Sequence, residues 1–167
     1  MKIACCDQST NVSGMAVITD GVPTYYTAID HSKNKDVADR IKCMFLDLAK
    51  LIDDAHPDYI SVEAVQQQTN PKAVMMLSVL QGALIGKCYL DGIPVSSPLP
   101  TEWRKILGFH QGPKVKREEL KAQAKDFVLQ HFGITASEDE CEAICIGIAE
   151  YLRLNDLDVS NLQKQGR

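Results

Sequence analysis

Apolar runs alternate with short polar turns at the start of the chain. Residues 2–7 form a run that is apolar on both faces, and residues 14–18 and 22–29 form two further runs. Asp20 and Gly21 lie between the last two runs, and this pair favours a tight hairpin because both residues accept the positive φ that such turns require. The pattern therefore predicts that the chain begins with three antiparallel strands, of which the first is buried.

A helical spacing of apolar residues follows over residues 36–55. His56 and Pro57 end this helix, because the residue before a proline is disfavoured in the helical conformation. Residues 58–63 then have the apolar character of a fourth strand. Strands joined through a helix pair in parallel, so we expect this strand to lie parallel to an earlier one.

The next predicted helix, residues 70–90, is apolar on more than one face. Asn70 is a suitable N-cap, and Pro71 suits the first helical turn. A helix that lacks a polar face is either enclosed by its own domain or covered by another subunit. In a domain this small we favour the second interpretation, which makes residues 70–90 the seam of a homodimer.

The remainder of the chain completes an α/β pattern. A strand at 93–96, a long connection at 98–113, a helix at 116–132 and a capped helix at 138–154 are predicted. The connection is too long for a simple turn, so we expect it to be functional or mobile, with Trp103 half packed in the core. The order of elements predicts one domain over residues 1–154, a five-stranded mixed sheet flanked by helices, and a flexible tail at 155–167.

Composition places the chain among ordinary globular proteins. Its 167 residues suit one domain, and 45% hydrophobic with 24% charged residues is a usual balance. The start of the chain lacks the apolar region of a signal peptide and the apolar runs are short, so we expect a cytoplasmic protein without a membrane partner. The six cysteines form no CxxC pair, which favours buried thiols over a zinc site.

Positive charge is concentrated between residues 103 and 125 of a chain whose net charge is −4. The candidates for contact with a DNA backbone are Arg104, Lys105, Lys114, Lys116, Arg117 and Lys121. A locally positive face can follow phosphates even on an acidic protein, although a solvated helix face would give the same pattern. Lys116 and Arg117 begin a helix, where one of them could neutralise charge that develops on a phosphate or be an ordinary surface cation.

Four carboxylates lie where strands end or a helix begins. Asp7 ends the first apolar run and Glu63 ends the fourth strand, while Asp139 and Glu142 lie nearly one turn apart at the head of the last helix. Acidic groups that converge repel each other unless a divalent cation neutralises them, so the set suits phosphodiester hydrolysis assisted by two Mg²⁺ ions. Acidic residues in a first helical turn also stabilise a helix, so Asp139 and Glu142 taken singly have a structural alternative.

Several pieces of the sequence match a known family in order and spacing. They are Asp7-Gln8-Ser9-Thr10 with Gly14-Met15-Ala16, Val62-Glu63 with Gln68-Thr69-Asn70, Pro100 to Gly108, Lys116-Arg117, and Asp139 to Gly147. On these pieces, which extend over nearly the whole chain up to about residue 154, the chain resembles the RuvC-type Holliday junction resolvases, in particular their compact phage and bacterial forms.

The resemblance implies a ribonuclease H-like fold, a homodimer through residues 70–90, and paired nicking of four-way DNA junctions with Mg²⁺ or Mn²⁺, two ions per subunit. Because the phage-like forms are broad in substrate, it also implies cleavage of other branched DNA. It gives the metal-ligand roles to Asp7, Glu63, Asp139 and Glu142, and the basic role near the scissile phosphate to Lys116 or Arg117.

The chain departs from the bacterial pattern at two places. Glu142 stands where the bacterial enzymes have an aspartate, and residues 64–68 lack the aromatic side chain that those enzymes stack at the junction centre. Three other functions stay open: a non-catalytic module that binds branched DNA on the same fold, a ribonuclease H-type hydrolase of RNA–DNA hybrids, and a phosphotransferase of the actin and sugar-kinase superfamily. The last requires a second domain, for which we expect no room in this chain.

Overall fold

The computed structural model describes residues 1–66 and 70–164. Its strands are β1 (Lys2–Asp7), β2 (Val12–Thr19), β3 (Val22–Asp30), β4 (Tyr59–Val62) and β5 (Val95–Ser96). Its α-helices are α1 (Val37–Ala55), α2 (Pro71–Asp91), α3 (Pro100–Ile106), α4 (Arg117–Phe132) and α5 (Glu138–Leu154), followed by a 3-10 helix at Val159–Lys164. Every predicted strand and helix is present, with ends that differ from the predicted ones by no more than two residues.

The strands form one mixed sheet in the order β3-β2-β1-β4-β5. β1, β2 and β3 pair antiparallel, and Asp20 and Gly21 make the predicted turn with φ angles of 50° and 82°. β4, which is reached through α1, pairs parallel to β1, and β5 pairs parallel to β4. The predicted α/β class and the mixed sheet are therefore confirmed.

Side chains alternate between the two faces of the sheet, so each face has its own core. On one face, α3, α4 and α5 pack over Ile3 and Cys5 of β1, and we call this the α5 face. On the other, α1 and α2 pack over Ala4 and Cys6 of β1, and we call this the α1 face. All six cysteines are free thiols, and all except Cys43 are buried.

Two glycines allow α5 to lie close against the sheet. A Cβ on Gly14 of β2 would stand 1.9 Å from the backbone oxygen of Asp139, and a Cβ on Gly147 of α5 would stand 2.4 Å from the Cys5 Sγ. Neither glycine has a positive φ, so what each supplies is space rather than an unusual backbone conformation. Because Gly14 is the antiparallel partner of Asp7, the first turn of α5 is held beside the end of β1.

The prediction of an irregular connection at 98–113 is wrong for its first half, which forms α3. Pro100 occupies the first helical turn, and the backbone N–H of Leu99 donates a hydrogen bond of 2.7 Å to the Glu102 carboxylate. A proline followed by an acid in the first turn is a helix start, and the surrounding prolines and glycines masked that signal. Trp103, which we expected to be half packed, is only 1% exposed.

α2 packs against the domain by one face. Asn70 caps it as predicted, and Leu80 and Leu84 lie in the core of the α1 face. Lys87 ties it to α1 through an ion pair of 2.6 Å with Asp53. Large apolar side chains on the opposite side are exposed in the single chain: Met75, Val79, Tyr89 and Leu90.

By length and composition alone, α2 is also long and apolar enough to cross a membrane. The expectation from the sequence concerned uninterrupted apolar runs, and α2 reaches this length only by combining several short ones. The polar residues of α2, such as Gln81, are scattered singly among apolar ones, so a helix-long apolar segment contains no long uninterrupted run. The Lys87 ion pairs and the buried Leu80 and Leu84 are nevertheless contacts of a helix packed on a globular domain.

The end of the described chain packs on the α5 face. Residues 159–164 form the 3-10 helix, and Leu162 is buried in the core of that face. The division of the chain into a domain at 1–154 and a tail stays a prediction. Two segments used in the sequence analysis extend outside the described residues. They are Gln68-Thr69, which is part of the family resemblance, and the end of the 64–68 segment from Gln67 onward, which lacks an aromatic side chain.

Candidate metal centre

The register of the sheet places Asp7 and Glu63 on the same side. Cys5 pairs with Ser61 and Cys6 pairs with Val62 across the parallel β1–β4 ladder, and the Glu63 N–H donates to the Cys6 oxygen at 3.0 Å. Asp7 and Glu63 are each one residue beyond the last of these pairs. Because side chains alternate, both carboxylates follow Cys5 and Ser61 toward the α5 face.

α5 brings the other two predicted carboxylates to the same place. Ser137 and Glu140 form the predicted capping box, which fixes the start of the helix. One oxygen from each of Asp7, Asp139 and Glu142 lies within 4.8 Å of the other two. Glu63 is outside this trio but interacts directly with Asp7. The structure therefore brings all four predicted carboxylates into one site.

Three of the site's carboxylates, Asp7, Glu63 and Glu142, resist ionisation. Burial raises the pKa of Asp7, and the neighbouring carboxylates, of which Glu63 has the largest effect, raise it further. Burial also raises the pKa of Glu63, against the hydrogen bond from Trp103, which lowers it. Burial likewise raises the pKa of Glu142 in spite of three cations that lower it, Lys121, Arg104 and Arg117. Burial and mutual repulsion thus make full ionisation of these carboxylates unfavourable unless further positive charge is supplied.

Glu63 is held by both its side chain and its backbone. The Trp103 indole N–H donates to the Glu63 Oε1 at 2.7 Å. The side-chain amides of Gln8 and Gln81 donate to the Glu63 backbone oxygen at 3.0 and 3.1 Å. The residue is therefore anchored from the strand end, from α2 and from α3.

Two cations flank Glu142. Arg104 donates to the Glu142 Oε1 at 3.4 Å, and its guanidinium lies 4.7 Å from the centre of the Trp103 ring. Lys121 lies 3.9 Å from the other Glu142 oxygen and 3.8 Å from Asp139. Burial disfavours the charge of Lys121, but a 2.8 Å bond to Glu138 and the nearby carboxylates outweigh this and raise its pKa.

The other predicted basic residues form no ion pair with the carboxylates among the described residues, although Arg117 acts on Glu142 at longer range. Lys105, Lys114, Lys116 and Arg117 are exposed. Lys116 is the N-cap residue of α4. Within residues 1–66 and 70–164, the ion pairs of the carboxylate site come from Arg104 and Lys121. The roles predicted for Lys116 and Arg117 stay predictions.

The site also contains residues to which sequence reasoning gave no such role. Trp103 was expected to be a core residue, and Arg104 and Lys121 were expected to contact DNA, yet all three contact the carboxylates. One signal could have helped: the helix start at Leu99 and Pro100 indicates that Trp103 and Arg104 lie on one helix. Nothing in the sequence pattern indicates that Lys121 of α4 reaches α5.

The donor set fits a hard divalent cation. All its ligand atoms are carboxylate oxygens, which Mg²⁺ and Mn²⁺ prefer, and three of them already lie within 4.8 Å of one another. A cation there would offset the burial, and then the mutual repulsion, that raise the pKa of Asp7. The arrangement therefore supports metal-assisted chemistry on a phosphate.

Comparison with known proteins gives one consistent family. Residues 3–148 match the family model described as crossover junction endodeoxyribonuclease RuvC. The protein of that name from Trichlorobacter lovleyi is 34% identical over 153 residues, which cover 89% of this chain and 83% of the relative. The one from Geotalea uraniireducens is 25% identical over 153 residues, covering 89% of this chain and 86% of the relative.

Solved structures agree on the fold. Thermus thermophilus RuvC in complex with Holliday junction substrate superposes with a TM-score of 0.75 and 13% identity, over 95% of this chain and 98% of that one. The yeast mitochondrial Holliday junction resolvase superposes with a TM-score of 0.60 and 14% identity, over 98% of this chain and 83% of that one. The expected ribonuclease H-like fold is confirmed.

Proposed function

The chain belongs to the RuvC family of crossover junction endodeoxyribonucleases, and is therefore a metal-dependent nuclease that resolves Holliday junctions; from this premise we propose that its four converging carboxylates form the catalytic metal centre. They are Asp7, Glu63, Asp139 and Glu142. The observation that carries the proposal is the approach of oxygens from β1 and from α5 to within 4.8 Å, although the two elements are far apart in the chain.

The ions of this centre are Mg²⁺ or Mn²⁺, two per subunit. When bound, they would supply Lewis-acid stabilisation of the phosphate and a water of lowered pKa. Asp7 and Glu63 project from adjacent strand ends and so form a rigid side of the site. Lys121 and Arg104 offset part of the charge of Glu142 on the opposite side. Lys116 or Arg117, at the exposed start of α4, approaches the scissile phosphate.

The substrates are four-way junctions and other branched DNA. The exposed side chains of Lys105, Lys114, Lys116 and Arg117 lie on α3 and around the start of α4, the two helices that also supply Arg104 and Lys121 to the carboxylate site. They would contact the sugar-phosphate backbone by charge. Arg104 and Lys121 take part at the site itself. Family members process DNA in bacteria, so the place of action is the cytoplasm.

The active form is a homodimer joined through α2. Met75, Val79, Tyr89 and Leu90 expose an apolar surface on the side of α2 that faces away from the domain. A second subunit would cover that surface, and a two-fold assembly presents two sites to a junction that is itself near two-fold symmetric. This interpretation accounts for the apolar face of α2 without a membrane.

The dimer is tested by Val79→Asp. A charge in the seam should convert the dimer to a monomer in sedimentation velocity and abolish paired nicking of a junction. Leu129→Asp on α4 is a matched control, because Leu129 and Val79 are both 52% exposed. The control should remain dimeric. A wild-type chain that sediments as a monomer at working concentrations would contradict the proposal.

The metal centre is tested by Asp7→Asn. The variant should lose nicking by roughly 10³-fold or more, about 4 kcal/mol of transition-state stabilisation, and still bind a junction in a gel shift. Asp54→Asn is the control, since Asp54 is an exposed residue of α1 that pairs with Lys50. Labelled four-way, three-way, flap, duplex and RNA–DNA hybrid substrates are compared. Full activity of the Asp7 variant, or activity without a divalent ion, would refute the assignment.

A further inference from the structure

Trp103 is placed as a fixed donor to Glu63. Its indole N–H lies 2.7 Å from the Glu63 Oε1, and the side chain is 1% exposed. The ring packs edge-on against Phe109, with 5.7 Å between ring centres, and the Arg104 guanidinium covers its face at 4.7 Å. The indole is therefore held on its edge and on its face, and it can only donate.

The bond engages a lone pair of the Glu63 Oε1, which makes Oε2 the better ligand atom for a cation. Gln8 and Gln81 hold the backbone of Glu63, and the Trp103 bond restrains the carboxylate at the other end of the same residue. Partners of this kind orient a metal ligand and tune its affinity. We propose that Trp103 is a positioning residue that makes Glu63 present its Oε2 alone to the divalent cation.

The same contact should make the fluorescence emission of Trp103 sensitive to metal binding at the site. Trp103 is the single tryptophan of the chain, and its N–H is bonded directly to a proposed ligand. Binding of a cation to Glu63 withdraws electron density from the carboxylate that accepts this hydrogen bond. The tryptophan emission of the whole protein should therefore change with occupancy of this one site.

The inference rests on the proposed metal centre, and the experiment separates the two. The full chain is stripped with a chelator and titrated with Mn²⁺ alone, without DNA, by calorimetry and by tryptophan emission. The wild-type chain should show saturable binding in both measurements with the same midpoint. Asp7→Asn should lose both signals, which ties the emission change to the carboxylate site.

Two replacements of Trp103 test the hydrogen bond. Trp103→Phe removes the donor and part of the ring. Replacement of the single tryptophan by 3-benzothienylalanine, which has sulfur in place of the N–H, removes the donor and keeps the shape. Both should weaken Mn²⁺ binding in calorimetry by about 10–100-fold. The second replacement keeps the test valid if Trp103→Phe folds poorly.

A packing control distinguishes positioning from general loosening. Phe109→Leu disturbs the edge of Trp103 and leaves the bond to Glu63 in place. It should bind Mn²⁺ within about twofold of the wild type and keep the emission change, even if it unfolds more easily. A merely structural Trp103 would instead give equal losses in Phe109→Leu and in the benzothienyl variant.

The outcomes divide clearly. Weakened binding in the benzothienyl variant with normal binding in Phe109→Leu supports the positioning role. Unchanged binding in the benzothienyl variant overturns it while the metal centre stands. If the wild-type chain binds Mn²⁺ without a change in tryptophan emission, the claim that Trp103 emission reports occupancy of the site is wrong. If the wild type binds no Mn²⁺, the metal centre and the positioning role fail together.

Discussion

The two faces of the sheet are built from the same strands but hold their helices differently. On the α5 face, Gly14 and Gly147 let a helix touch the sheet. Buried polar groups such as Ser61 of β4 and Glu150 of α5 lie where the helix and the sheet meet. On the α1 face, the layer between sheet and helices is apolar throughout its described core. The proposed metal centre lies on the face where a helix touches the sheet, because carboxylates from two elements can converge there.

Two lysines make the same difference visible. Lys87 on the α1 face and Lys121 on the α5 face have nearly equal side-chain exposure, 14% and 17%. Lys87 bridges two exposed or rim carboxylates and joins α2 to α1. Lys121 joins α4 to the carboxylates of the site. Similar ion pairs therefore join two helices on the α1 face and contact the carboxylate site on the α5 face.

Among the substitutions that compare the two faces, Gly14→Ala has the largest expected effect. A Cβ at this position would lie 1.9 Å from the Asp139 backbone oxygen, which cannot move unless α5 moves. The variant should unfold about 1–3 kcal/mol more easily, and displacement of Asp139 from Asp7 by about 1 Å should lower nicking by roughly 10²-fold. Chemical unfolding and a junction-nicking assay measure the two effects.

The control for this prediction lies on the α1 face. Gly86 is helical, and a Cβ there would meet no atom within 4 Å. Gly86→Ala should therefore stabilise the single subunit by about 0.5–1 kcal/mol, because alanine is the better helix former. Gly86 lies about two turns from Val79 on the proposed seam, so the comparison is made in the monomeric Val79→Asp background. Equal effects of the two substitutions would show that the faces do not differ in the way described.

The second effect compares the two lysines. Lys121→Met should reduce nicking by about 10-fold or more, because Asp139 and Glu142 lose a neighbouring cation that orients them. Lys87→Met should leave nicking unchanged and cost about 1 kcal/mol of stability or less. Rates at saturating Mg²⁺ and unfolding midpoints distinguish the roles. A loss of activity with Lys87→Met would show that the α1 face also supports catalysis.

The smallest effect is the pH dependence of the metal-free chain. Burial raises the pKa of Asp7, Glu63 and Glu142 above their ordinary values of 3.8 and 4.5. Groups with raised pKa values contribute stability below their unfolded pKa, and this contribution is lost as pH rises through the folded pKa. In a chelator, the free energy of unfolding should fall from mildly acidic toward neutral pH.

Variants from each face sharpen the pH prediction. Asp7→Asn should reduce the slope and stabilise the metal-free chain at neutral pH, since it removes one of the buried charges. Lys87→Met should leave the slope unchanged, because its partners lie on the other face. Mn²⁺ should restore stability at neutral pH. A metal-free chain that becomes more stable as pH rises would contradict the origin assigned to these shifts.

Sequence reasoning predicted the sheet and the positions of the carboxylates for a physical reason. Asp7 and Glu63 follow apolar strand ends, and a strand–helix–strand crossover requires parallel neighbours, so their proximity follows from local patterns. Asp139 and Glu142 lie at a capped helix start, which the capping box marks in the sequence. Each of these signals is local.

The surroundings of the carboxylates could not be predicted in the same way. The contacts of Trp103 with Glu63 and of Lys121 with Asp139 depend on how α3 and α4 dock, which no periodicity specifies. The start of α3 at Pro100 was recognisable, but neighbouring prolines and glycines indicated a loop equally well. The pattern of apolar and polar residues predicts which segments form helices and strands, but it does not determine how distant elements pack together.

The alternation along β1 has a consequence for how the gene can vary in length. Ile3, Cys5 and Asp7 all point to the α5 face, so insertion or deletion of one codon within the strand would turn the carboxylate toward α1 and put the core residues on the wrong sides. Only insertions or deletions of an even number of codons keep each side chain of β1 on its original face of the sheet. Homologues should therefore differ in length before Lys2 or after Asp7, but not within the strand.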